Sequence, residues 1–171
     1  EKQIKKQEDD KIMVVINHEK DRWSEGVIGL VAGRLTEKYY RPFLVITKTS
    51  EGYKGSGRSI EEFNLIKAID KNRKWLDKFG GHPSACGFNL FNKNLDYFVE
   101  AMKKIACEKL KDLDLKPRMD IDMELDLDQI DHGLVKEIDN LAPFGQDNPV
   151  PVFVSKKVQI KDIVLMGNDK K

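Results

Sequence analysis

Cysteine is scarce in this chain. Cys86 and Cys107 are the two in 171 residues, too few for a cysteine-rich zinc site or for a disulfide-stapled secreted domain. The expectation is a reducing, cytoplasmic setting with both thiols free. Long apolar runs are also lacking. No stretch approaches the roughly 18 consecutive apolar residues of a membrane span, so no membrane association is expected. The opening EKQIKKQEDDK has no apolar centre for a secretory signal and too much acid for a transit peptide. It does not begin with Met, which leads us to expect further chain upstream. Charge of one sign is missing too: 30 Lys and Arg face 29 Asp and Glu, for a net charge of +1. A globally basic nucleic-acid binder is thereby excluded, while a local basic surface is not. Neither a Walker loop ending GK[ST] nor a GxGxxG fingerprint occurs.

What remains is 40% hydrophobic and 35% charged, enough for one domain or for one and part of another. Residues 1–11 alternate in charge and read as a linker or the end of an upstream helix. IMVVIN at 12–17 reads as a buried strand, followed by the polar turn HEKDRW. Val27, Leu30, Val31, Leu35 and Tyr39 fall on one helical stripe, predicting a helix over 25–39 with that stripe toward the core. FLVIT at 43–47 is a second buried strand. Strand, helix, strand implies a crossover unit and an α/β fold with a mixed sheet. SEGYKGSGRSI at 50–60 reads as a turn and a strand whose glycines lie close to something needing backbone access. Leu65 to Phe79 has helical spacing, with Asn64 as N-cap and Asn72 as a break. GGHPSACGFNL reads as a glycine-rich loop leading into a strand, and 94–110 as an amphipathic helix. The first domain is placed at 12–111.

Composition shifts after that. Residues 112–131 hold eight acidic side chains against Lys116 and Arg118. MDIDMELDL at 119–127 alternates strictly, as a half-exposed strand does, and its Asp120, Asp122 and Glu124 are expected simply to face water. A short helix near 131–140 and strands near 151–155 and 157–165 are expected, with the closing GNDKK as a turn. A partial, β-rich second domain is placed at 115–171.

Three polar clusters invite a chemical reading. In GSGRS, Arg58 supplies a planar fork that matches phosphate, with Ser56 and Ser59 as further donors. A hairpin needing glycine for twist accounts for the same residues. In GGHPSACG, His82 after Gly80 and Gly81 suits phosphate or leaving-group contact, but a solvated histidine also fits. Metal binding there is weak, because no further ligand lies at local spacing. Cys86 reads as packed. Gly26, Gly29 and Gly33 recur along the 25–39 helix, each costing about 1 kcal/mol against alanine. Close approach of that helix to a sheet or to a ligand is the reason we infer.

Taken in order, WSEGVIGLVAGRL, YYRPFLVI, GSGRSI, FNLIKAI and KFGGHPSACGFNL resemble the nucleic-acid-binding half of the DHH phosphoesterase core in the RecJ family of single-strand-specific exonucleases. LAPFGQDNPVPVF at 141–153 resembles the start of that family's oligonucleotide-binding (OB) domain. The resemblance implies a mixed-sheet DHHA1-type domain followed by a partial OB-like domain. It implies hydrolysis of single-stranded DNA from the 5′ end with Mn²⁺ or Mg²⁺ held by a separate DHH domain. No metal site is expected in this chain, since Asp-His-His is absent and Asp131-His132 lies in the wrong context. Implied partners are single-stranded DNA and proteins of replication, repair or recombination.

By position, the resemblance implies His82 as the catalytic contact to phosphate or leaving group. Arg58, Ser56, Ser59, Gly80, Gly81 and Ser24 would contact nucleic acid, although family members often carry histidine where this chain has Ser24. Two other readings stay open. One is a non-catalytic protein-interaction module docking through 112–131. The other is part of a phosphodiesterase for short oligonucleotides, against which the APFGQDNPVP segment argues.

Overall fold

The computed structural model describes residues 2–7, 9–18 and 23–164. The chain divides into two compact units, Glu1–Pro117 and Arg118–Lys171. The HEKDRW turn, apart from His18 and Trp23, and the closing GNDKK lie outside the described residues.

In the first unit, the opening segment does not hang free as a linker. It forms a short helix, α1 (Lys2–Lys5), whose Ile4 packs with Met13 and Phe43. The run at 12–17 yields β1 (Met13–Asn17), and α2 (Glu25–Tyr39) crosses over to β2 (Phe43–Lys48). β1 and β2 pair in parallel, Met13 opposite Phe43, as the crossover pattern requires. A tight turn then leads into β3 (Tyr53–Arg58), antiparallel to β2.

Asn64 caps α3 (Leu65–Lys71) by accepting from the Lys67 amide, a contact worth about 1 kcal/mol. The helix stops at Asn72, and a 3-10 turn follows at Arg73–Trp75. Phe79, expected in that helix, belongs instead to β4 (Lys78–His82). The expected glycine-rich loop is this strand. Gly80, Gly81 and His82 pair with β5 (Ala85–Leu90), leaving Pro83 and Ser84 as the turn. The sheet order is β1-β2-β3-β5-β4. α4 (Leu95–Leu110) buries Leu95, Phe98, Met102, Ala106 and Leu110, as its periodicity predicts.

Alternation splits the sheet into two faces. Cys86, Phe88 and Leu90 join Leu44, Leu65 and Phe98 in the main core. The β3 glycines serve this core rather than a ligand. A Cβ on Gly55 would lie 2.1 Å from the Phe88 ring, and one on Gly57 would lie 2.7 Å from Leu65. α2 covers part of the other face, and of the expected stripe only Leu35 and Tyr39 pack inward. Val27, Leu30 and Val31 are exposed, whereas Ile28, Ala32 and Thr36 are buried. The cause is the β3 side chains beneath the helix. A Cβ on Gly29 would come 3.2 Å from the Ser56 hydroxyl, and one on Gly33 would come 3.8 Å from Arg58 Nε. Small residues therefore face β3, and Val27, Leu30 and Val31 are left outside.

The second unit holds β6 (Met123–Glu124), α5 (His132–Asp139) and β7 (Phe153–Val154), with β6 and β7 parallel. Asp131 caps α5 through the Leu134 amide at 2.8 Å. The strand expected over 119–127 contracts to two residues, since only Met123 and Glu124 have strand partners. Met119, Ile121, Met123 and Leu127 remain exposed, and Leu125 is buried. The strand expected near 157–165 is absent among the described residues.

Candidate nucleic-acid interface

Lys54, Ser56 and Arg58 alternate along β3 on the face opposite the main core. The register extends this alternation across two more strands. Arg58 pairs with Ala85 and His82 pairs with the same Ala85; Ser56 and Gly80 both pair with Gly87; Lys54 and Lys78 both pair with Asn89. Cross-strand partners share a face, so these nine residues form three rows. The outer strands are two strand spacings apart, roughly 10 Å, and the end rows lie roughly 13 Å apart.

The rows differ in character. In the first, Arg58 has no carboxylate partner among the described residues, and His82 is exposed with no hydrogen-bond partner among them. The middle row is nearly bare: Ser56 beside two glycines. A Cβ on Gly80 would meet nothing within 4 Å, and one on Gly87 would meet only the Gly55 carbonyl oxygen at 4.0 Å. Neither glycine is required by packing. In the third row Lys54 is spent on Glu25, 2.6 Å away. The result is a strip of polar strand surface beside α2, bare of side chains at Gly80 and Gly87.

The remaining sequence candidates lie elsewhere. Ser59 has the opposite parity, and its hydroxyl donates to the Phe63 carbonyl at 2.6 Å, so its role is to pin a turn. Gly81 is demanded by the chain itself. Its φ is +149°, and a Cβ would lie 2.2 Å from the Ala85 carbonyl oxygen. Ser24 is the N-cap residue of α2, exposed, without a side-chain capping bond. The Glu25–Lys54 pair sets it at the far end of β3 from Arg58. Sequence reasoning misses Lys54, Lys78, Gly87 and Asn89. Their signal is the period-two spacing of KGSGR and KFGGH, once both are read as strands.

Cys86 lies behind this face, and burial pushes its thiol up to about 12 despite the Gly57 amide and Arg58. It is a packing residue, not a nucleophile. Among the described residues no three His, Cys, Asp or Glu side chains cluster to hold a metal ion. Asp131 and His132 start α5 with no third donor, so the residues present do not fit a divalent site. Asp120, Asp122 and Glu124 are exposed, as expected, and two of them also make contacts: Asp122 accepts from the Val152 amide at 2.8 Å, and Glu124 pairs with Lys156. No helix among the described residues is long and apolar enough to cross a membrane.

Comparison with known proteins matches residues 9–108 to the DHHA1 domain and residues 121–171 to the RecJ OB domain. The single-stranded-DNA-specific exonuclease RecJ of Bacillus subtilis is 33% identical over 150 residues, covering 86% of this chain and 19% of that protein. Two crystal structures of RecJ from Thermus thermophilus superpose on it. The Mn²⁺ complex gives a TM-score of 0.64 at 26% identity over 85% of this chain and 21% of that one. The Mg²⁺ complex gives 0.63 at 25% over 84% and 22%. The chain thus spans about a fifth of the length of these relatives.

Proposed function

Since the chain belongs to the DHHA1 domain family, with a RecJ OB segment behind it, we propose that it is the nucleic-acid-binding part of a 5′-to-3′ single-strand exonuclease. Its task is to hold substrate phosphates against a divalent metal site contributed by a DHH domain. The observation that carries this reading is the three-row face. Arg58 supplies a bidentate cation with no carboxylate partner among the described residues, His82 a neighbouring ring nitrogen and Ser56 a hydroxyl. Gly80 and Gly87, glycines that the fold does not need, leave the backbone open to close approach. Charge develops on phosphoryl oxygens during hydrolysis, and preorganised donors at fixed spacing favour that development. The relatives' activity on single-stranded DNA supports the substrate class. The Mg²⁺ and Mn²⁺ in the Thermus structures support a divalent metal. A place in cytoplasmic DNA repair or recombination follows from the same reading, as do contacts with replication or repair proteins.

The test is equilibrium binding of a labelled single-stranded oligonucleotide across a salt series. Arg58→Ala should weaken binding whatever the sequence and lower the salt slope by up to about one unit. An unchanged slope overturns the phosphate role of Arg58. Added Mn²⁺ should produce no digestion by this chain, and digestion by a contaminant-free sample would overturn the placement of the metals elsewhere.

A further inference from the structure

The end of the face opposite the Arg58–Ala85–His82 row opens into a pocket of about 290 Å³. Glu25, Glu51, Lys54, Asp77, Asn89 and Phe91 are among its lining residues. Its wall is preformed. The turn from β2 to β3 is closed by the Thr49 amide donating to the Gly52 carbonyl at 2.8 Å. Gly52 is pressed so close to β5 that a Cβ would lie 2.3 Å from the Leu90 carbonyl oxygen. Phe91 presents an aromatic side chain that is 49% exposed.

The charged groups of this lining are three carboxylates, Glu25, Glu51 and Asp77, against one lysine, Lys54, beside the hydroxyls of Thr49, Ser50 and Tyr53. Glu51 and Asp77 have no cationic partner among the described residues, and Lys54 is committed to Glu25. Asn89 is half-buried, with its side-chain amide unbonded among them. Such a lining repels phosphate and attracts a planar group carrying N–H donors. On a single strand, the amino-bearing bases fit that description. Carboxylates accept from the cytosine N4 amino group, Asn reads amide-like base edges, and an aromatic ring stacks on any base. Asn89 belongs to the third row of the face, roughly 13 Å from the first, within one strand's reach of a phosphate held at Arg58.

We propose that this pocket is a base-binding subsite preferring amino-bearing bases over thymine, on the strand whose phosphate sits at the Arg58–His82 row. The proposal rests on the phosphate-binding reading above and adds a base contact to it. The experiment compares binding of oligo-dC, oligo-dT and an abasic strand of equal length to the full chain and to four variants. Oligo-dC should bind more tightly than oligo-dT, and the abasic strand most weakly. Phe91→Ala should weaken oligo-dC on the order of tenfold and leave the abasic strand unchanged. Asp77→Asn should narrow the gap between oligo-dC and oligo-dT. Phe91→Leu, which keeps apolar bulk, should behave like Phe91→Ala, and equal melting temperatures guard against misfolding. Equal affinity for all three strands, or an equal loss on the abasic strand, overturns the subsite. If base preference persists but Arg58→Ala changes nothing, the phosphate reading falls and the pocket stands. If the chain binds none of the strands, both fall.

Discussion

Arg58 and His82 are joined through one residue: each is the strand partner of Ala85, from opposite sides, so they flank it in a single row. The helix and turns between β3 and β4 carry the chain around so that a guanidinium and an imidazole flank that one residue.

Gly80 and Gly81 are adjacent in sequence and should behave oppositely. Gly81 has a left-handed backbone and a blocked Cβ position, whereas Gly80 faces open space. Gly81→Ala should lower the melting temperature by several degrees, corresponding to about 1–3 kcal/mol of strain. Gly80→Leu should leave the melting temperature nearly unchanged and still reduce affinity for single-stranded DNA by obstructing the strand surface. Thermal melts and binding curves on the same two proteins check this. A fully DNA-competent Gly80→Leu would remove the reason we give for that glycine.

The two cysteines should separate in reactivity. Cys107 is exposed and Cys86 buried, so iodoacetamide followed by peptide mass spectrometry should find label at Cys107 alone in the folded protein. The pH dependence follows from the raised Cys86 pKa, from 9.0 to about 12. Below 9.0 the thiol is protonated in both states. As pH rises through that value, the unfolded chain ionises while the folded one does not, so stability falls toward about 12. Urea midpoints at about pH 8 and about pH 10 should differ less in Cys86→Ala than in the parent.

Much of this arrangement was legible in the sequence where burial drives it, and less where it does not. The bounds of α2 and the buried face of α4 follow from apolar spacing. The buried face of α2 does not, because Ser56 and Arg58 lie beneath it and small residues must face them. Val27, Leu30 and Val31 make a convincing stripe that points outward. Arg58, Ser56 and His82 were recognisable by residue type. Their common face was hidden because Gly80 and Gly81 read as a loop, and only strand pairing reveals that Lys78, Gly80 and His82 alternate.

Thr36 carries an unexpected cost. Its hydroxyl is buried in α2 without a hydrogen-bond partner among the described residues, which disfavours folding relative to an apolar group of the same shape. Thr36→Val keeps the branched outline and should stabilise the protein by about 1 kcal/mol in urea unfolding. A loss of stability would mean that the hydroxyl is satisfied in solution.

β1 is an edge strand, and its outer backbone is occupied by side chains imitating a neighbouring strand. The Gln3 amide donates to the Ile16 carbonyl at 2.8 Å and accepts from its N–H at 2.9 Å; Gln7 does the same at Val14, at 2.8 and 2.9 Å. Positions four apart near α1 meet positions two apart on the strand, so two glutamines close the edge against another chain. Replacing both with alanine removes these four hydrogen bonds, each worth about 0.5–1.5 kcal/mol net. The double variant should exchange the Val14 and Ile16 amide hydrogens much faster and self-associate at concentrations where the parent does not. Hydrogen exchange read by NMR and sedimentation velocity measure the two effects. Unchanged protection at Val14 and Ile16 would mean that something other than these side chains seals the edge.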